Sequence, residues 1–296
     1  MNPGKKFREC VNQNELLQCL GATTAYHALL AEKSGAKALY ISGGGVAAGS
    51  LGVPDLGITT LNDVAIDVER ICARSSLPIL VDIDTGWGGA FNISRAINTL
   101  EKAGAAAIHI EDQVQQKRCG HRPNKALVSK AEMKDRIKAA ADARICDDFV
   151  IMARTDSLAQ YGLEAAIDIM GECIDAGADM VFPEAVSELA IYKKITESIT
   201  VPVLANITEF GLTPLFTTDE LIGAGVKIAL YPLSAFRAAN QAALNVYQQI
   251  IATGSQQSVL ETMQTREELY QHLGYHRYEQ QLDQLFNEGQ DDVNSI

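Results

Sequence analysis

The chain has 296 residues, 47% of them apolar and 21% charged, and its 37 acidic against 25 basic side chains leave a net charge of −12. That is the balance of a globular protein long enough to build a large core without disulfide or metal staples. It lacks the basic footprint that a phosphate backbone demands and has no long Lys/Arg run, so neither nucleic acid nor an anionic membrane is an expected partner.

The six cysteines, at 10, 19, 72, 119, 146 and 173, show no paired spacing. They read as reduced thiols of a reducing compartment, and a cytoplasmic protein is expected. The first 18 residues contain Glu9 and Glu15 and no long apolar stretch, so a secretory signal is not expected. No run of about 18 uncharged apolar residues suggests a membrane span.

Taken in chain order, one pattern recurs. A helix-like stretch ends in a small-residue Gly step and a short apolar run follows. Gly35 precedes Ala38-Leu39-Tyr40-Ile41, Gly104 precedes Ala107-Ile108-His109-Ile110, Gly177 precedes Met180-Val181-Phe182, and Gly225 precedes Ile228-Ala229-Leu230-Tyr231. Glycine after a helix suits the left-handed closing residue, and the apolar run suits a strand buried on both faces. With the runs between these copies, strands are predicted over 17–20, 38–42, 78–84, 107–112, 149–155, 180–184, 202–206 and 227–231. Helices are predicted over 61–73, 93–102, 130–143, 163–175 and 235–251. Eight alternations fit an α/β fold of the (β/α)8 TIM-barrel type. The rival is an open parallel sheet, which would carry a Gly-rich phosphate turn after its first strand; Cys19-Leu20-Gly21-Ala22-Thr23 is not one. No linker divides the chain, so residues 1–296 are expected to form one barrel domain with extra C-terminal helices from about 258, polar and frayed over 290–296.

In such a barrel the chemistry lies at the carboxyl ends of the strands. The third strand ends Val81-Asp82-Ile83-Asp84, and strand alternation would put both aspartates on one face. Paired carboxylates repel unless a cation or proton lies between them, and carboxylate plus water is the ligand set of Mg2+. The plainer reading is a pair of capping or loop aspartates. His109 and Glu111 share a face at the fourth strand end, where Glu111 either holds a metal-bound water or satisfies a buried neighbour. Lys117-Arg118-Cys119-Gly120-His121-Arg122-Pro123-Asn124-Lys125 is a basic stretch in an acidic protein. Cations stabilise a thiolate, so Cys119 is a candidate acid/base or nucleophile, unless the loop is merely solvated. Arg154, Glu184, Asn206 with Thr208, and Arg237 follow at later strand ends. Ser42-Gly43-Gly44-Gly45 offers either bare amides to an anion or a flexible turn. Tyr40 shares the face of Ser42.

These motifs, together with Ala205-Asn206-Ile207-Thr208-Glu209-Phe210-Gly211, resemble the phosphoenolpyruvate mutase/isocitrate lyase superfamily over essentially the whole chain. The basic Cys loop discriminates best and points to the branch that acts on 2-methylisocitrate in the 2-methylcitrate cycle of propionate catabolism. The resemblance implies a carbon–carbon lyase cleaving (2S,3R)-2-methylisocitrate to pyruvate and succinate, with Mg2+ (Mn2+ as the alternative) held by Asp82 and Asp84 and with Glu111 behind them. It implies substrate contacts from Ser42, Gly43, Gly44, Lys117, Cys119, Gly120, His121, Arg154, Glu184, Asn206, Ile207, Thr208, Arg237 and Arg266. Cys119 would be the catalytic acid of a retro-aldol-type step, with Tyr40 and Asp55 as candidates for the base. Phe182 and Leu230 would shape the space for the methyl group. A homotetramer is implied, through late-helix packing. The rivals are isocitrate lyase or another 2-hydroxy-acid lyase of the superfamily, and a non-catalytic dicarboxylate-binding barrel.

Overall fold

The computed structural model describes residues 2–122 and 124–293; Pro123 of the basic motif and 294–296 of the polar tail lie outside the described residues. The chain opens with α1 (Pro3–Gln13), β1 (Leu17–Gly21), α2 (Ala25–Lys33), β2 (Ala38–Ile41) and the short α3 (Gly43–Val46). A π turn (Ala47–Leu51), α4 (Leu61–Cys72), β3 (Ile79–Asp82), α5 (Ala90–Lys102) and β4 (Ala107–Glu111) follow. Then come α6 (Lys130–Ala143), β5 (Val150–Thr155), α7 (Leu158–Tyr161), α8 (Leu163–Asp175) and β6 (Met180–Pro183). The remainder is α9 (Leu189–Ser198), β7 (Leu204–Asn206), α10 (Thr218–Gly223), β8 (Ile228–Tyr231), α11 (Ser234–Thr253), a 3-10 turn (Gln257–Thr262), α12 (Arg266–Leu273) and α13 (Tyr275–Val293).

All eight strands are parallel. Each of β1 to β5 pairs with the next, β1 pairs with β8, and β8 with β7. The Val181–Val203 bridge joins β6 to the segment leading into β7, with Val181 N–H donating to Pro202 O at 3.1 Å, so the sheet closes on itself. The Gly step works as read: Gly104 and Gly177 close their helices at φ +103° and +112°, a region that penalises any Cβ.

Strand alternation sorts the core. Leu17 and Cys19, Ala38 and Tyr40, Val150 and Met152, Met180 and Phe182, and Ile228 and Leu230 form one buried cluster inside the barrel. Their neighbours Leu39, Ile41, Val81, Ile108, Ile110 and Ile151 face outward, onto Val64 and Val68 of α4, Ile93 and Ile97 of α5, and Met133 and Ile137 of α6. Phe7 and Val11 of α1 join the interior cluster. Arg8 of the same helix donates to Asp148 O at 2.9 Å, just before β5, so α1 plugs the end opposite the strand carboxyl ends. That helix was not anticipated from the sequence.

Two local expectations are corrected. β3 ends at Asp82, and Asp84 follows in the left-handed region at φ +49°, so the two aspartates do not share a face by strand alternation. The glycine run after β2 is the turn of helix α3, capped by Ser42, whose Oγ accepts from Gly45 N–H.

Residues up to Arg237 form one compact unit and those from Ala238 on form another. In the second unit Tyr270 and Tyr275 stack at 4.2 Å across the α12–α13 junction. Among the described residues no helix is long and apolar enough to cross a membrane.

Candidate active site

Asp82 is the most fully bonded group at the barrel mouth. Its Oδ2 accepts from Gly43 N–H at 3.0 Å and from the Tyr40 hydroxyl at 3.4 Å, and its Oδ1 accepts from Asp84 N–H at 3.0 Å. His109 Nε2 stands 3.7 Å from Asp82 Oδ1 and 2.9 Å from the Tyr40 oxygen. A Cβ on Gly43 would lie 3.0 Å from Asp84 Oδ1 and 3.1 Å from Asp82 Oδ2, so both carboxylates converge there although only one is on a strand. The turn at Asp84 thus achieves what alternation was expected to do.

The buried Lys117 ammonium lies 2.6 Å from Asp84 Oδ1 and 2.5 Å from Asp55 Oδ1. Glu111 is completely buried and neither of its oxygens accepts a hydrogen bond; Arg154 Nε approaches Oε2 to 3.3 Å. Four carboxylates (Asp55, Asp82, Asp84, Glu111) therefore surround two permanent cations. Burial pushes the Asp84 carboxyl up against the pull of Lys117. Burial also pushes Glu111 well above its ordinary range, with Arg154 opposing. For Asp82 burial acts in the same sense, but His109, Lys117 and Arg154 override it and hold the group ionised. Such a site has electrostatic room for one more positive charge. The unbonded oxygens of Glu111 and the all-oxygen donor set fit a hard cation. Among the described residues no three His, Cys, Asp or Glu side chains stand in ligand geometry. Two converging carboxylates with the unbonded Glu111 oxygens nearby suit an ion that takes one or two carboxylates and keeps its waters, as Mg2+ does.

Burial first, and the Asp82 charge second, hold the Tyr40 phenol well above its ordinary value, and its hydroxyl donates to Asp82. In the glycine run the Gly43 amide donates to Asp82 Oδ2 and the Gly45 amide to Ser42 Oγ.

Across the mouth Arg154 is held on several sides. Its Nη2 meets Glu184 Oε2 at 3.1 Å, its Nε meets Asp156 Oδ2 at 3.0 Å, and its guanidinium lies 5.1 Å from the Phe182 ring centre. Glu184 also receives Asn206 Nδ2 at 3.3 Å and stands 3.2 Å from His121 Nε2. Burial would raise the Glu184 carboxyl, but Arg154 and then His121 bring it down to about 2. Ile207 and Thr208 are buried just after β7, and Asn206 Oδ1 is buried without a partner. Arg237 is nearer the surface, 3.5 Å from Glu209 Oε2 and 5.7 Å from the Phe210 ring centre. Arg266 opens α12 in the second unit.

The basic stretch lies across these groups. Lys117 reaches the aspartates, while a Cβ on Gly120 would run into the Arg154 guanidinium and lie 2.6 Å from Glu184 Cγ. His121 Nδ1 accepts from Leu212 N–H at 3.0 Å. Of the cations in this stretch, Lys117 pairs with Asp55 and Asp84, and Lys125 with Asp156 at 2.7 Å. Cys119 itself is exposed, one residue from the Arg154–Glu184 pair. Beside it opens a cavity of about 620 Å³, lined by Gly120, His121, Lys125, Asp156 and Leu212 among others. Asp156 and Lys125 were missed by sequence reasoning. Asp156 stands two residues after Arg154, the same spacing that drew attention to Asp82 and Asp84.

The model of the family described as phosphoenolpyruvate phosphomutase matches residues 7–251. A 2-methylisocitrate lyase of Escherichia coli (strain K12) is 59% identical over 290 residues, covering 98% of each chain. One of Vibrio cholerae (serotype O1, strain ATCC 39315 / El Tor Inaba N16961) is 57% identical over 97% of this chain and 96% of its own. Among solved structures, a 2,3-dimethylmalate lyase of the PEP mutase/isocitrate lyase superfamily superposes with a TM-score of 0.89 at 32% identity, covering 96% of each chain. A full-length match in sequence and a barrel that superposes throughout show that the chain belongs to the phosphoenolpyruvate phosphomutase family, in the PEP mutase/isocitrate lyase superfamily of TIM barrels.

Proposed function

We propose that the protein cleaves (2S,3R)-2-methylisocitrate to pyruvate and succinate, the carbon–carbon scission of the 2-methylcitrate cycle in propionate catabolism. The observation that carries this reading is the Lys117–Gly120 segment. Its first residue lies on the paired aspartates and its last against Arg154 and Glu184, so Cys119 belongs to the stretch between the aspartates and the Arg154–Glu184 pair. The names of the curated relatives at 57–59% identity support the same substrate.

Mg2+, or Mn2+ with the same oxygen ligands, would be held by Asp82 and Asp84 with Glu111 behind, and would supply positive charge to the oxygens of the future keto acid. The tricarboxylate substrate is bound by Ser42, Gly43, Gly44, Lys117, Gly120, His121, Arg154, Glu184, Asn206, Ile207, Thr208 and Arg237. Asp55, half-buried against Lys117, takes the proton of the substrate hydroxyl, and that oxygen becomes the pyruvate carbonyl. The bond between the hydroxyl-bearing carbon and its neighbour breaks, and its electron pair passes to the succinate half as an aci-carboxylate. Arg154 meets that charge already oriented by Glu184 and Asp156, so little reorganisation is needed when the charge develops. Cys119 gives its proton to the new carbanion, and solvent returns the proton from Asp55 to the thiolate.

The same reading makes the protein a cytoplasmic homotetramer built from one barrel domain with a C-terminal helical extension. Exposed Tyr247 and Ile251 on α11 and Leu285 and Phe286 on α13 suit burial against other copies.

The test is pyruvate release from 2-methylisocitrate and from isocitrate, with chelator and after adding back Mg2+. The expected result is a higher kcat/KM for 2-methylisocitrate, abolished by chelator and restored by Mg2+. A preference for isocitrate would overturn the substrate, and turnover indifferent to chelator would overturn the cation.

A further inference from the structure

The segment between β4 and α6 is tied down at several levels. At its root Gln113 pairs with Leu127, Val114 N–H donates to Ala126 O at 2.9 Å, and Val128 N–H donates to Asp112 O at 2.8 Å. The Gln113 side chain then closes a turn by bonding both backbone groups of Arg118, at 2.9 and 3.0 Å. Farther out, Lys125 Nζ donates to the Gly120 carbonyl and to Asp156 Oδ1, both at 2.7 Å.

Asp156 is fully buried just past β5. Its N–H donates to Asp112 Oδ1 at 2.9 Å, which fixes its backbone. Its carboxylate accepts from Arg154 through Nε at 3.0 Å and Nη2 at 3.3 Å. One buried carboxylate thus serves two cations: Arg154, from the floor of the mouth, and Lys125, from the loop above. Removing either leaves an imperfectly compensated buried charge. The second bond of Lys125 falls on the carbonyl of Gly120, the residue whose α-carbon lies so close to Arg154 and Glu184 that no side chain fits there.

We propose that Lys125 and Asp156 are positioning residues that latch the Cys119 loop over the mouth and couple its closure to the orientation of Arg154. Lys125 pins Gly120, and with it the neighbouring Cys119; Asp156 aligns Arg154 with the same carboxylate that holds the loop. The proposal rests on the reading of Cys119 as the acid of the reaction.

Two measurements on Lys125→Met test it. In steady state, kcat falls about 100-fold, the cost of misplacing a catalytic group by about an ångström, while KM changes only a few-fold. Lys125→Arg, which keeps the charge, recovers part of the loss. Without any substrate, tryptic cutting after Arg118 becomes about tenfold faster or more, because cleavage follows the population of opened loop. The thermal midpoint falls as well, because Asp156 is left imperfectly compensated, so cutting is compared well below the midpoints of both proteins. Unchanged cutting in both Lys125→Met and Asp156→Asn would overturn the latch whatever the substrate proves to be. Faster cutting in a protein that does not turn over 2-methylisocitrate would uphold the latch and overturn the proposed function. A Lys125→Met enzyme with the parent's kcat would overturn the positioning role.

Discussion

Glu184 shows how strongly single residues at the mouth depend on their partners. Its burial alone would neutralise it, yet Arg154 and His121 bring its carboxyl down to about 2. A carboxyl depressed below its unfolded value, about 4.3, contributes stability that is present above that value and is lost as pH falls toward 2. The expected contribution is of order 1–3 kcal/mol, a range that allows for sharing among coupled charges. Denaturant midpoints between pH 5 and pH 3 should therefore fall less steeply for Glu184→Gln than for the parent. Equal slopes would show that the Arg154 pairing adds no net stability.

Among the elements, α1 illustrates a contribution remote from the chemistry. Phe7 and Val11, four residues apart on one helix face, fill the end of the barrel opposite the mouth and are fully or almost fully buried. Phe7→Ala should lower the unfolding free energy by about 3–5 kcal/mol, the usual cost of emptying such a site, and leave KM unaltered. A loss under about 1 kcal/mol in denaturant unfolding would contradict the plug. The sequence does mark this helix, with Asn2 as its cap, Pro3 at its first position and Phe7, Cys10 and Val11 at helical spacing, but so polar a stretch stands out less than the apolar strand runs. The strands were legible for the opposite reason: a barrel strand is buried on both faces and so reads as a continuous apolar run. The helix ranges Lys130–Ala143 and Leu163–Asp175 coincide with those predicted from their spacing. At the site, the residue types at the strand ends were legible, but their conformations and pairings were not. The left-handed turn at Asp84 and the helical capping of Ser42 are backbone events without a period. The pairing of Lys125 with Asp156 spans 31 positions and becomes visible only when the barrel brings β4 and β5 side by side.

At the scale of the whole molecule, closure of the sheet is what makes a site at all. Tyr40, Asp82, Glu111, Arg154, Glu184 and Asn206 come from or directly follow six different strands and meet because a parallel barrel gathers every carboxyl end at one rim. Under the proposed function a chain of net charge −12 has to receive a tricarboxylate there. On the aspartate side Lys117 alone faces Asp55 and Asp84 beside Asp82, whereas on the other side Arg154 and Lys125 balance Asp156 and Glu184, an asymmetry that suits a metal at one half of the substrate and a proton donor at the other. The most direct measurement of that account is turnover and binding of 2-methylisocitrate by Cys119→Ser in the presence of Mg2+. The account predicts a kcat reduced by about 10²–10⁴-fold, the range for a lost general acid, with substrate affinity within a few-fold of the parent. A serine enzyme that keeps most of the parent's kcat would contradict it.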